Sequence, residues 1–178
     1  FGAFNQVDDS ILQQLIQEAD RQIIDEKTYA DFCARCAAGK TFLLLCDNCG
    51  EIVLDKLLLR RIKERYPQLS MFAMVRGGEI SNDATIEDAV YSGLDREATL
   101  IDNAYPIAGV IYHLLDEQRR SIFDRADVVL AKGQGNYETL SGHAREIFFL
   151  FLCKCDFFVE RFQVPRLTGM FIHEQGEQ

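Results

Sequence analysis

Five short, largely apolar runs recur along the chain: Thr41–Cys46, Leu69–Val75, Ala98–Ile101, Asp127–Ala131 and Ile147–Cys153. Each is strand-sized, and the stretches between them carry helical periodicity. A strand that reads as continuously apolar is covered on both faces, so this alternation predicts a largely parallel sheet between two helical layers. The expected architecture is a three-layer α/β/α sandwich with a short helical portion over residues 1–40. The α/β unit over residues 41–178 belongs to the same structural unit. No Pro/Gly/Ser linker or repeat interrupts the 178 residues, a length suited to one domain.

The helical stretches are predicted from caps and spacing. Asp9-Ser10 caps a helix with Ile11, Leu12, Leu15, Ile16, Ala19, Ile23 and Ile24 on its apolar positions. A short helix follows around Tyr29–Ala38, ended by Gly39. Another runs near Gly50–Arg65, with Val53, Leu54, Leu57, Leu58 and Ile62 on one side and its basic residues solvated. Further helices are expected from Thr85, from Pro106 (which suits a first helical position), through Glu117–Arg125 and near Tyr137–Arg145. The tail beyond the fifth strand, with Pro165, reads as irregular.

Charge and composition remove several function classes. With 28 acidic and 19 basic side chains the net charge is −9, which argues against a nucleic-acid partner needing a basic face. No apolar run approaches the roughly 20 residues that span a bilayer, so no membrane partner is expected. No export signal opens the sequence, and six cysteines are then expected as reduced thiols in a cytoplasmic protein. Two CxxC pairs, Cys33/Cys36 and Cys46/Cys49, invite a zinc reading. Cys33 and Cys36 fall in a helical apolar stripe, however, and Cys46 closes a buried strand, so core cysteines are expected. His113, His143 and His173 show no ligand spacing and read as surface or helix residues.

In open α/β sheets, ligands bind beyond the carboxyl ends of the strands. Those ends carry Asp47-Asn48-Cys49-Gly50-Glu51, then Arg76-Gly77-Gly78 leading to Asn82-Asp83-Ala84-Thr85, then Asp102-Asn103, then Lys132-Gly133-Gln134-Gly135-Asn136. Oxygen donors suit a hard divalent cation. A lysine and helix N-termini suit an anion such as phosphate. Each string also has a plainer reading as a helix cap or turn. Gly133-x-Gly135 lacks the third glycine of a dinucleotide loop, since Glu138 stands there. Asp47 is not followed two residues later by the aspartate of haloacid-dehalogenase-type phosphatases.

The segment Asp47-Asn48-Cys49-Gly50-Glu51-Ile52-Val53-Leu54-Asp55, with Asn82-Asp83-Ala84-Thr85 and Lys132-Gly133-Gln134-Gly135-Asn136-Tyr137-Glu138, resembles three motifs of one family. That family is the metal-dependent damage-control phosphatases, long catalogued as a domain of unknown function, in its archaeal and bacterial branch. The resemblance spans about residues 1–160. It implies hydrolysis of small phosphate esters, sugar phosphates or damaged phosphometabolites, with Mn²⁺, Co²⁺, Ni²⁺ or Mg²⁺ as cofactor. It implies Asp47, Asn48 and Asp83 as metal ligands and Asp47 and Lys132 as catalytic residues. Asn48, Gly50, Glu51, Lys132 and Asn136 are implied as phosphate contacts.

The nucleophile stays open between a metal-activated water and the Asp47 carboxylate. Glu51 and Asp127 are the acid or base candidates. A non-catalytic sugar-phosphate or nucleotide-binding module is the alternative from another class, and a zinc-structured interaction domain a third. The opening Phe1-Gly2-Ala3-Phe4 reads as lying inside a longer family segment, so a companion N-terminal polypeptide or a homo-oligomer is expected.

Overall fold

The computed structural model describes residues 24–176. The sequence features at Phe1, Phe4 and the Asp9-Ser10 helix lie outside the described residues. The order of elements is α1 (Glu26–Ala38), β1 (Thr41–Leu45), α2 (Ile52–Arg65), β2 (Ser70–Val75), α3 (Ile86–Ser92), β3 (Thr99–Asp102), α4 (Glu117–Arg125), β4 (Val128–Lys132), α5 (Gln134–Leu140), β5 (Ile147–Leu152), α6 (Asp156–Phe162) and β6 (Gly169–Glu174). One six-stranded sheet results, in the order β3-β2-β1-β4-β5-β6. The first five strands are parallel and β6 pairs antiparallel to β5.

Side chains alternate across each strand, so the central strands feed two cores. Phe42, Leu44, Cys46, Val128 and Leu130 face one layer, where Phe32 and Cys36 of α1, Ile52, Leu59 and Ile62 of α2 and Ala89 of α3 pack against them. Leu43, Leu45, Val129 and Ala131 face the other, against Phe123 of α4, Tyr137 and Leu140 of α5 and Phe158 of α6. Caps set the helix starts. The Asp25 carboxylate accepts from the Thr28 amide at 2.7 Å, Asp116 accepts from that of Arg119 at 2.8 Å, and Thr85 with Asp88 forms a capping box on α3.

The strand order makes the chain turn outward in opposite directions from β1 and from β4, and that junction is the switch point of the sheet. Register decides what meets there. Leu45 lies beside Met74 of β2 and Ala131 of β4. Two residues on, Asp47 falls level with Arg76 on one side and Gly133 on the other.

Four expectations are corrected. Pro106 opens no helix: residues 103–111 form an irregular loop, followed by a 3₁₀ turn at Tyr112–Leu114. The Asn103 side chain holds that loop, its oxygen accepting from the Gly77 amide at 2.8 Å and the Tyr105 amide at 3.1 Å. The tail is not irregular but contains α6 and β6, with His173 on the strand and stacked on Phe148. The helix expected near Tyr137–Arg145 begins earlier, at Gln134, and ends at Leu140.

The fourth correction concerns the face of α2. It buries Ile52, Asp55, Leu59 and Ile62 and leaves Val53, Leu54 and Leu57 exposed. The helix is turned so that the Asp55 carboxylate faces the sheet alongside Ile52, Leu59 and Ile62.

Candidate active site

Lys132 is the last residue of β4, two positions beyond Leu130, so strand alternation turns it toward the α1–α3 layer. There it meets α2. Its ammonium lies 2.6 Å from Glu51 Oε2 and 2.6 Å from Asp55 Oδ1, residues one helical turn apart. A chain of contacts continues across the rim. Asn48 Nδ2 donates to Glu51 Oε1 at 2.8 Å and to Asp47 Oδ2 at 2.8 Å. Asp55, Lys132, Glu51, Asn48 and Asp47 thus form one connected series.

The other half of the site comes from β2 and the segment after it. The Ala84 amide donates to the Asp47 carbonyl at 2.7 Å, the Cys49 amide to that of Asn82 at 2.8 Å, and the Arg76 amide to that of Ala84 at 2.8 Å. These bonds lay residues 82–84 between the ends of β1 and β2 and bring Asp83 against Asn48. Arg76 is 1% exposed, a degree of burial that requires a counter-charge. Its Nε lies 2.6 Å from Asp83 Oδ2 and its Nη2 3.8 Å from Asp47 Oδ1. Both Nη atoms lack a hydrogen-bond partner.

Three features fit a hard divalent cation held by Asp47, Asn48 and Asp83. Carboxylates only accept, so the amide nitrogen of Asn48 is the end that faces Glu51 and Asp47, and its oxygen is left for a ligand. Asp83 has only Oδ2 engaged with Arg76. Burial, then the charges of Glu51 and Asp83, push the Asp47 carboxyl up to about 6 against the opposing effect of Arg76 and Lys154. A cation would relieve that excess of negative charge. Among the described residues, no three His, Cys, Asp or Glu side chains form a metal-holding group. The oxygens that could hold a cation here are those of two carboxylates and an amide, donors that suit a hard cation.

Glycines set the closeness of approach. Gly133 has φ +82, and a Cβ there would fall inside the Asp47 carboxylate. Gly50 stands in open space at the start of α2, whose first turn has no side-chain cap. The helix start is joined to Lys132 through Glu51, and a helix start suits an anion. Burial would raise Glu51, but Lys132 and the Asn48 hydrogen bond outweigh it and hold the carboxyl below its ordinary value.

Of the residues singled out from sequence, Asp47, Asn48, Gly50, Glu51, Asp83 and Lys132 come together at this rim. Asn136 is fully buried behind it, its amide donating to the carbonyls of Lys132 at 2.6 Å and Cys46 at 3.2 Å, where it ties the ends of β1 and β4. Asp127 lies at the opposite end of the sheet, accepting from the Lys40 and Thr41 amides at 2.8 and 2.9 Å, and has no part in the site. Cys36, Cys46 and Cys153 are buried and all six thiols are free. Sequence reasoning passed over Arg76 and Asp55 as site residues. The available signal was a charged residue ending an otherwise apolar strand and an aspartate four residues after Glu51.

A family model, the damage-control phosphatase ARMT1-like domain, matches residues 1–168. A damage-control phosphatase of Pyrococcus horikoshii is 32% identical over 156 residues, covering 85% of this chain and 54% of its own length. One of Archaeoglobus fulgidus is 42% identical over 122 residues, covering 67% and 41%. An uncharacterized protein of Methanocaldococcus jannaschii is 38% identical over 120 residues, covering 65% and 39%. The crystal structure of a DUF89 family protein from Pyrococcus horikoshii matches with a TM-score of 0.78 at 30% identity, over 93% of this chain and 58% of that one. The chain thus spans about half the length, or less, of these curated relatives. No helix among the described residues is long and apolar enough to cross a membrane.

Proposed function

This chain belongs to the damage-control phosphatase ARMT1-like domain family, and from that premise we propose that it acts as a divalent-metal-dependent phosphatase on small phosphate monoesters. Sugar phosphates and damaged phosphometabolites are the substrate class. The observation that carries the reading is the joining of Asp47, Asn48 and Asp83 with Lys132 and Glu51 at the switch point of the sheet.

Asp47, Asn48 and Asp83 would hold the cation through oxygens. Bound there, Mn²⁺, Co²⁺, Ni²⁺ or Mg²⁺ supplies positive charge that polarises a phosphoryl oxygen. The rest is done by the chain itself. The Lys132 ammonium is held by Glu51 and Asp55, and it offers a phosphoryl oxygen a charge-assisted hydrogen bond. The amides of Ile52 and Val53, in a first turn with no side-chain cap, hold a second oxygen. Glu51 stays ionised at neutral pH and serves as proton acceptor. Arg76 fixes Asp83 and offsets part of the carboxylate charge.

Turnover of p-nitrophenyl phosphate by metal-stripped protein, with each cation restored in turn, tests this. Hydrolysis that appears with Mn²⁺ or Co²⁺ and is lost in EDTA is the expected result. Metal and phosphate binding without turnover under any cation would overturn it in favour of a sugar-phosphate-binding module.

A further inference from the structure

Helix α2 turns an aspartate into the protein while leaving three apolar side chains in solvent. Val53, Leu54 and Leu57 are 50%, 66% and 48% exposed, whereas Asp55 is 1% exposed. Burying a carboxylate is costly unless it is paired, and burying a leucine is favourable. Packing of Ile52, Leu59 and Ile62 sets this face, but it leaves Asp55 in need of a partner. The partner that makes this orientation tolerable is Lys132, 2.6 Å from Asp55 Oδ1. The second oxygen, Oδ2, is buried without a hydrogen-bond partner, so Lys132 is the one group that compensates this carboxylate among the described residues.

The two carboxylates that flank Lys132 are not equivalent. The side chain of Asp55 is 2% exposed and that of Glu51 is 38% exposed, although both lie 2.6 Å from the same nitrogen. One contact faces the interior and the other the open rim. We propose that Asp55 is a positioning residue: it anchors the Lys132 ammonium from the buried side, so that the Lys132–Glu51 contact on the open side can be exchanged for an incoming phosphoryl oxygen. The catalytic consequence rests on the phosphatase reading above; the anchoring itself does not.

Charge follows the same division. Burial would push the Lys132 ammonium down, and Asp55 followed by Glu51 holds it above its ordinary value instead. Just beyond β1, the Cys46 thiol lies on the same side of the sheet, raised far above its usual value by burial and so uncharged. With Asp55 in place, Lys132 keeps a counter-charge while Glu51 swings away. Without it, release of Glu51 would strand an unpaired ammonium in a desolvated site.

The protonation of Lys132 reads this directly, through its ¹³Cε resonance in metal-free protein, identified by its loss in Lys132→Arg. Asp55→Asn is expected to lower the titration midpoint by about one pH unit or more, a tenfold change in proton affinity, and Glu51→Gln by clearly less. Equal shifts, or a larger one in Glu51→Gln, would overturn the proposal. Melting temperatures decide the same point should Asp55→Asn alone fail to fold. Lys132→Met strands the Asp55 carboxylate, so Lys132→Met/Asp55→Asn should melt above Lys132→Met, while Lys132→Met/Glu51→Gln should not. Rescue by Glu51→Gln to the same degree would contradict the anchor. With p-nitrophenyl phosphate, Asp55→Asn should lower kcat by about 10-fold or more with a smaller change in KM. If wild-type protein shows no turnover, the phosphatase reading fails, while the titration and the melts still decide the role of Asp55.

Discussion

Asp47→Asn should stabilise the metal-free protein while removing its capacity for metal. The Asp47 carboxyl lies at about 6 in the folded chain against an ordinary 3.8, raised by burial and then by Glu51 and Asp83. A raised folded-state value means that ionisation opposes folding. The penalty is absent below about pH 4, grows through the interval up to about pH 6, and is complete above it. Going from 3.8 to about 6 corresponds to about 3 kcal/mol.

Asparagine keeps an acceptor for the Asn48 amide, and the attraction to Arg76 that it gives up is already contained in the value of about 6. The gain is then about 3 kcal/mol at pH 8 and about half of that at pH 5, where wild-type Asp47 is mostly protonated. Urea denaturation in EDTA at both pH values measures it. In saturating Mn²⁺ the order should reverse, because only the wild type gains stability from binding the cation. A variant less stable than wild type at pH 8 in EDTA, or a difference that does not depend on pH, would refute the reasoning.

Gly133→Ala should destabilise by about 2–3 kcal/mol, since φ is +82 and the new Cβ collides with the Asp47 carboxylate; thermal denaturation with and without Mn²⁺ checks that both stability and metal response fall. Arg76→Met leaves the Asp83 carboxylate without its buried partner and should cost about 3–5 kcal/mol in denaturant titrations. Asn103→Ala removes the bonds that hold residues 103–111 to Gly77, so limited proteolysis should cut within that loop before the rest of the described chain.

The five parallel strands were legible because four of them are largely buried on both faces and read as apolar runs, while the half-buried edge strand β3 still carries Leu100 and Ile101; their observed ends fall within about a residue of expectation. Strand β6 was not, because only Met170, Phe171 and Ile172 are apolar and its pairing is supplied by β5. The loop at residues 103–111 misled through Pro106: a proline that suits a helix start cannot outweigh the Asn103 side chain and the left-handed turn at Gly109. At the site, motif residues were readable one strand end at a time. Their meeting was not, because it depends on register. Asp47 lies between Arg76 and Gly133 only once Leu45 is level with Met74 and Ala131. The face of α2 was misread for a related reason: hydrophobic periodicity counts leucines, whereas the buried face of this helix joins Ile52, Leu59 and Ile62 to Asp55, which meets Lys132.

Calorimetric titration of Mn²⁺ into EDTA-stripped wild-type protein and Asp83→Ala tests the central claim most directly. The wild type should bind one cation per chain, through Asp47, Asn48 and Asp83, and Asp83→Ala should give no measurable binding heat while remaining folded by circular dichroism. Unchanged Mn²⁺ affinity in folded Asp83→Ala would contradict the assignment of this rim as a metal site.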